Sequence, residues 1–250
     1  MSHRYARTGR LGKATWPGRR RRIVLGVLVA AGVTALLVRA LSPTGKAPSS
    51  PSATGHGVAA LDSGEITPAA TRTMDGVPVG WPHTRHGAVA AAAGYARVLS
   101  ALWFLTDPGR RYRAVARMAA PEAAAGLQAS QDALADAVRR GPFGAGLARP
   151  QVTSLLRTSL LGYRVDHYDP SGATVAVWAV VVYGNDGGMA PQAIWATSTL
   201  RLRWVGDWKL LEVGTVPGPT PVHGQATPSP AADLIRAAGT FEEFRDAPAQ

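Results

Sequence analysis

Residues 23–41 read IVLGVLVAAGVTALLVRAL, an apolar run of 19 residues whose single charge, Arg39, lies near its end. As a helix rising about 1.5 Å per residue the run spans about 28 Å, close to the ~30 Å hydrocarbon core of a bilayer. Gly26 and Gly32 would weaken a helix in water, whereas membrane helices tolerate glycine. Arg39 stands where its guanidinium can snorkel to an interface. The preceding residues 1–22 carry eight basic side chains and no acid, with Arg19, Arg20, Arg21 and Arg22 directly against the apolar run. That asymmetry is a topology signal: the basic tail stays cytoplasmic and everything after residue 41 lies outside. A single-pass protein of the cell membrane is expected, with the lipid bilayer as its first partner. The rival reading is a cleaved signal peptide. Its apolar core is usually only about 7–15 residues long, and Val38-Arg39-Ala40 is a poor small-x-small exit.

The formal net charge of +11 belongs mostly to that tail, because eight of the charges lie in residues 1–22 and the rest of the chain carries +3. A nucleic-acid-binding domain keeps its basic residues on the folded surface, so no direct, specific nucleic-acid binding is expected. No cysteine occurs, which excludes disulfides, thiolate metal sites and a cysteine nucleophile.

Residues 42–75 are rich in Pro, Ser, Thr, Gly and Ala and sustain no period. They read as a flexible tether with a root-mean-square reach of roughly 30 Å. A folded domain is expected over 76–215, and its first half has helical spacing. Within 84–105, Ala88, Ala92, Tyr95, Leu99, Leu102 and Trp103 recur at steps of three and four, the period of one helix face. Asp107-Pro108 supplies an N-cap and a first-turn proline for a second helix to about 119. Pro121 opens a third, near 122–139, which Gly141-Pro142 stops. After Pro150 the period falls to two, giving strands near 152–168 (bent or bulged at Gly162), 173–183, 193–205 and 208–215. Turns at 169–172, at 184–188 and at the two-residue Gly206-Asp207 join them as antiparallel hairpins. Residues 216–250 form a Pro-rich tail with a short helix near 231–244.

Helices followed by a meander of strands make an α+β domain, with a curved antiparallel sheet wrapped on its helices. This order, ending in LRLRWVGDWKLLEV, resembles the nuclear transport factor two-like fold, a cone-shaped α+β roll. The resemblance implies three helices packed on a curved antiparallel sheet of about four strands.

Some rolls enclose a pocket and act as isomerases or dehydratases. Such chemistry needs an Asp or His base and a Tyr or acid donor inside the cone. Tyr95, Asp166, His167 and Tyr168 are the suggestive group, with Asp166 and Tyr168 on one strand face and His167 on the other. The run DHYDPSG also enters a turn, where polar residues are expected anyway. His83-Thr-Arg-His86 could bring two imidazoles to one metal, but the HExxH glutamate and a third ligand are missing. A polar cluster at a helix start accounts for the pair, and no catalytic residue, metal or cofactor is expected. Trp178, Trp195, Trp204 and Trp208 lie on predicted strands and read mainly as core. No phosphate loop and no GxSxG element occurs.

A basic cytoplasmic tail, one anchor, a Pro/Ser tether and a roll-like outer domain together resemble the bitopic channel-assembly subunits of type IV secretion and conjugation machines, including the TcpC-type proteins of Gram-positive bacteria. The segment GVPVGWPHTRHGAVAAA, from Gly76, is similar to a motif in membrane proteins of high-GC Gram-positives, some encoded beside conjugation ATPases. The scarcity of lysine, with only Lys13, Lys46 and Lys209, fits such a genome. The similarity covers roughly residues 15–215, with one roll domain where the TcpC type carries two. It implies a non-enzymatic scaffold whose partners are other membrane or channel subunits, or a second copy. Trp81 and Pro82 at the domain entrance and the Arg201/Arg203 strand face are candidate contacts. The alternatives are a tethered small-molecule-binding or enzymatic roll, with a pocket around Tyr95, Asp166 and Tyr168, and a cell-envelope or sporulation factor on the same scaffold.

Overall fold

The computed structural model describes residues 70–221 and 229–240. The basic tail with Arg19, Arg20, Arg21 and Arg22, the apolar run 23–41 and residues 42–69 of the tether lie outside the described residues. Among the described residues, no helix is long and apolar enough to cross a membrane.

The fold begins ahead of the expected boundary at Gly76. Strands β1 (Arg72–Met74) and β2 (Val77–Val79) pair antiparallel around Asp75-Gly76, both at positive φ (54° and 81°). Asp-Gly suits such a tight hairpin because both central residues must be left-handed. Val77 and Val79 turn inward and are buried.

Helix α1 (Arg85–Leu99) starts at Thr84, whose hydroxyl accepts the Gly87 N–H. Its small residues let it approach its neighbours closely. A Cβ on Gly87 would lie 1.9 Å from the Pro82 carbonyl oxygen, and one on Gly94 would lie 2.8 Å from the Trp81 ring. The expected helix to residue 105 is broken. Ser100 Oγ donates to the Ala96 carbonyl, Ala101 is extended, and a separate α2 (Leu102–Thr106) follows. A serine that bonds back to the preceding turn competes with helix continuation. Asp107 caps α3 (Pro108–Met118) through the Arg110 N–H, with Pro108 in the first turn, as expected. Helix α4 spans Ala124–Arg140. Pro142 then opens a further short helix, α5 (Pro142–Leu147), where the sequence reading ends the helical region. Proline stops one helix and suits the first turn of the next.

Strands β3 (Ser154–Asp169), β4 (Gly172–Asn185), β5 (Met189–Trp204) and β6 (Trp208–Pro217) form one antiparallel sheet in chain order. The last turn has three residues rather than two, because β5 ends at Trp204 and Gly206 takes φ 75°. The register puts Val165, Val175, Leu200 and Val213 in one row and Tyr168, Ala173, Leu202 and Leu210 in another. These rows face the helices and make the main core with Ala88, Ala91, Ala92 and Tyr95 of α1. Each large apolar side chain so buried contributes about 1.5–3 kcal/mol. A smaller cluster of Val138, Phe143 and Tyr183 closes the other end. The molecule is thus an α+β unit with helices on the inner face of a four-stranded sheet.

Beyond β6 the chain crosses to the outer face, where Thr197 Oγ1 donates to the Gly218 carbonyl and the Trp178 indole N–H donates to the Pro219 carbonyl. Helix α6 (Ala231–Thr240) lies against β3, β4 and β5. Residues 241–244 of the expected helix lie outside the described residues. Of the four strand tryptophans, Trp208 alone is fully buried, and the other three are half-buried.

Candidate functional site

The residues singled out from sequence fall into three places. The first is the buried aromatic centre. Tyr95 is fully buried and donates its hydroxyl to the Trp208 carbonyl. Burial pushes its pKa well above the usual tyrosine range, and the Asp207 charge adds to the shift. Trp208 in turn donates its indole N–H to the Pro82 carbonyl at 2.9 Å. Tyr168, half-buried, packs on the same core with its ring 6.1 Å from that of Trp208.

Asp166 does not join them. The pairing of β3 with β4 slips between Val165 and His167, so Asp166 is the extra residue of a bulge and breaks the two-residue alternation. It lies exposed and pairs with Arg164, which holds its carboxyl below the usual range. The expected shared face of Asp166 and Tyr168 is therefore corrected. The second slip, between Leu160 and Gly162, is the bend anticipated there.

The second place is the join between the β5–β6 turn and the start of α1. Asp207 is only 9% exposed. Its carboxylate accepts the N–H groups of Gly80 at 3.1 Å, Trp81 at 3.0 Å and Trp208 at 3.0 Å, and Lys209 Nζ stands 3.4 Å away. This side chain ties the N-terminal hairpin to the far end of the sheet. Sequence reasoning assigns it only to a turn, because its main partners lie more than 120 positions earlier. Trp81, a candidate contact, is buried beneath this join, whereas Pro82 is exposed. His83 stacks on Trp204 with ring centroids 3.9 Å apart and interplanar angle 7°, and its Nε2 donates to the Pro170 carbonyl. Among the described residues no three His, Asp or Glu side chains gather at a metal-binding spacing.

The third place is the outer sheet face near the β3–β4 turn. His167, Thr174, Arg201 and Glu212 lie directly opposite one another across the four strands. Arg201 pairs with Glu212 at 3.3 Å, His167 with Asp169 at 2.9 Å, and Arg203 with Glu122. Asp169 also accepts the Ser171 hydroxyl and the N–H groups of Ser171 and Gly172. These bonds, the Ser171 hydroxyl first, hold its carboxyl far below the usual range. Arg201 and Arg203 are exposed and line a shallow cleft with His167.

The family model described as a domain of unknown function, DUF8175, matches residues 38–232. No curated protein and no solved structure matches the chain.

Proposed function

We propose, from the premise that the chain belongs to the DUF8175 family, that it is a membrane-anchored, non-enzymatic assembly component of a conjugative, type IV secretion-like DNA-transfer apparatus. Residues 23–41 are the anchor, Arg19, Arg20, Arg21 and Arg22 keep the tail cytoplasmic, and residues 42–69 tether the folded unit outside the cell. The unit is a cone-shaped roll that acts through protein–protein contacts with channel subunits or a second copy. An interface of about 800 Å² per partner fits on a domain of this size. Pro82 and the Arg201/Arg203 face supply exposed contact groups, while Trp81 is buried in the core next to Pro82.

One observation carries the choice of contact over catalysis. The Tyr95 hydroxyl is sealed in the core and spent on the Trp208 carbonyl, and the Asp166 carboxylate that would partner it is on the outside. A general acid or oxyanion donor has to face the reacting atoms, and this pair has no common space.

Affinity purification of the full-length chain from its host in mild detergent, with mass spectrometry of what accompanies it, tests the reading. Recovery of a conjugation ATPase or other channel subunits is expected. Recovery of the chain alone, or of the chain with a retained small molecule, would overturn it.

A further inference from the structure

Helix α3 reads PGRRYRAVARM, with four arginines and no acid. Arg111 points inward and is taken by Asp132. The other three, Arg110, Arg113 and Arg117, recur at steps of three and four and so share one side of the helix. That side meets the tip of the β1–β2 hairpin. Arg113 and Arg117 both reach the Asp75 carboxylate, at 3.5 Å and 2.8 Å. Arg110 lies over the Trp103 ring, 3.9 Å from its centroid, and a Cβ on Gly76 would stand 2.8 Å from its guanidinium. One carboxylate thus serves two arginines, and it is 26% exposed where they are 58% and 47% exposed. Arg72, exposed on β1, adds a positive charge. Asp107, the N-cap, adds a second carboxylate, which accepts the Arg110 N–H. Four cations therefore stand against two anions on this face, whereas Arg201 and Arg203 on β5 are each matched by an acid. Tyr112 on the same helix is 64% exposed, more than any other large apolar side chain among the described residues. Its exposed neighbours Gly109 and Ala116 are small and hold no flat surface away.

We infer that this face, Arg72 with the exposed side of α3, rests on an anionic lipid surface and orients the folded unit against the bilayer. The inference rests on the anchor and tether of the proposed function and not on its conjugation role. Chain position is the first argument for lipid as the occupant. The described residues begin at Ala70, five positions before Asp75, so the hairpin at this face is the part of the unit joined first to residues 42–69. On the anchor reading those residues keep it within roughly 30 Å of the bilayer. Chemistry is the second. A guanidinium pairs with headgroup phosphates while its stem lies along apolar surface, and a tyrosine ring suits the headgroup level. Each basic side chain near an anionic leaflet brings about a fivefold preference, so two uncompensated charges bring about thirtyfold. That orients a unit the anchor already holds.

The chain has no cysteine, so a single engineered thiol carries a dye without background. Full-length Ala116→Cys, labelled on the exposed face of α3, is reconstituted in vesicles whose lipids carry a headgroup quencher. Gln151→Cys, exposed near the β4–β5 turn, is the control. The Ala116 dye is expected to be quenched in phosphatidylcholine vesicles containing phosphatidylglycerol, and the Gln151 dye is not. In phosphatidylcholine alone the ratio of quenched to unquenched Ala116 dye should fall about thirtyfold. High salt should lower it in the anionic vesicles as well, a readout that needs no arginine variant. Arg110→Gln with Arg113→Gln, confirmed folded by circular dichroism, should bring the Ala116 dye to the level of the control. Equal quenching at the two positions, or quenching indifferent to lipid charge and salt, would overturn the inference. So would shielding of the Ala116 dye by polyglutamate in neutral vesicles, which would give the face to an acidic protein instead. Alkaline carbonate separates this failure from that of the anchor: chain extracted from the vesicles overturns both, whereas chain retained with equal quenching overturns the lipid contact alone.

Discussion

Asp207 lies in a hairpin turn, a position usually filled by a solvated polar residue, yet its carboxylate accepts three backbone N–H groups from two distant parts of the chain. Removing it strands donors in a nearly closed space, which costs about 1–3 kcal/mol for each buried group left unpaired. Asp207→Ala is therefore expected to destabilise the unit by about 3 kcal/mol or more, read as a lowered urea midpoint with an unchanged slope. Gly87 is a second residue without a substitute. Its Cβ would sit on the Pro82 carbonyl, so Gly87→Ala should cost about 1–3 kcal/mol through overpacking, whereas Gly126→Ala, which meets open space within α4, should be neutral or stabilising in the same assay. Arg111 is 2% exposed and donates to Asp132 and to the Phe104 carbonyl, pinning α2 and α4 to α3. Burial works to raise the Asp132 pKa, but hydrogen bonds from Gln128 and Arg111 and the Arg111 charge outweigh it and hold the carboxyl below its ordinary 3.8. A depressed folded-state pKa gives stability that is fully present above the unfolded value and is lost as pH falls through the folded one. Thermal midpoints should thus be insensitive to Asp132 protonation at neutral pH and decline below about pH 4. Asp132→Asn should make that acid decline shallower, and an unchanged acid slope would contradict the assignment.

At the scale of elements, the anchor read from residues 23–41 makes the plainest prediction. Arginine at the centre of a membrane helix costs about 2.5–3.5 kcal/mol per residue, so Val29→Arg with Val33→Arg should move the chain from the membrane pellet to the soluble fraction. How much of the architecture was legible beforehand also depends on element size. The four long strands follow from strand-like patterning between clear turn signals, with alternation plainest in β5, where Leu200, Leu202 and Trp204 alternate with Thr199, Arg201 and Arg203. Strands β1 and β2 have three residues each, too few to show a period, although Asp75-Gly76 carried the hairpin signal. The break at Ser100 was hidden because Leu99, Leu102 and Trp103 continue the helical steps across it. The misplacement of Asp166 has the same origin in reverse: alternation predicts a face only while the register holds, and a bulge with no sequence mark shifts it. Of the candidate site, the exposed arginines of β5 were legible from alternation on one strand. The Asp207 join was not, because nothing local links position 207 to positions 80 and 81.

The whole molecule is an α+β unit whose buried polar groups Asp207 and Arg111 hold its elements together; under the proposed function its outer sheet face meets partners. The inner-face packing seals the Tyr95 hydroxyl against the Trp208 carbonyl, so Tyr95→Phe, which deletes one hydrogen bond at about 1 kcal/mol, should lower stability modestly and, under the proposed function, leave biological activity intact. The most direct test of the central claim is the frequency of conjugative DNA transfer from a host in which the gene has been deleted and then restored. Transfer is expected to fall to background without the chain and to return with the full-length protein or its Tyr95→Phe variant. Undiminished transfer in the deletion, or failure of a folded Tyr95→Phe protein to restore it, would contradict the proposed assembly role.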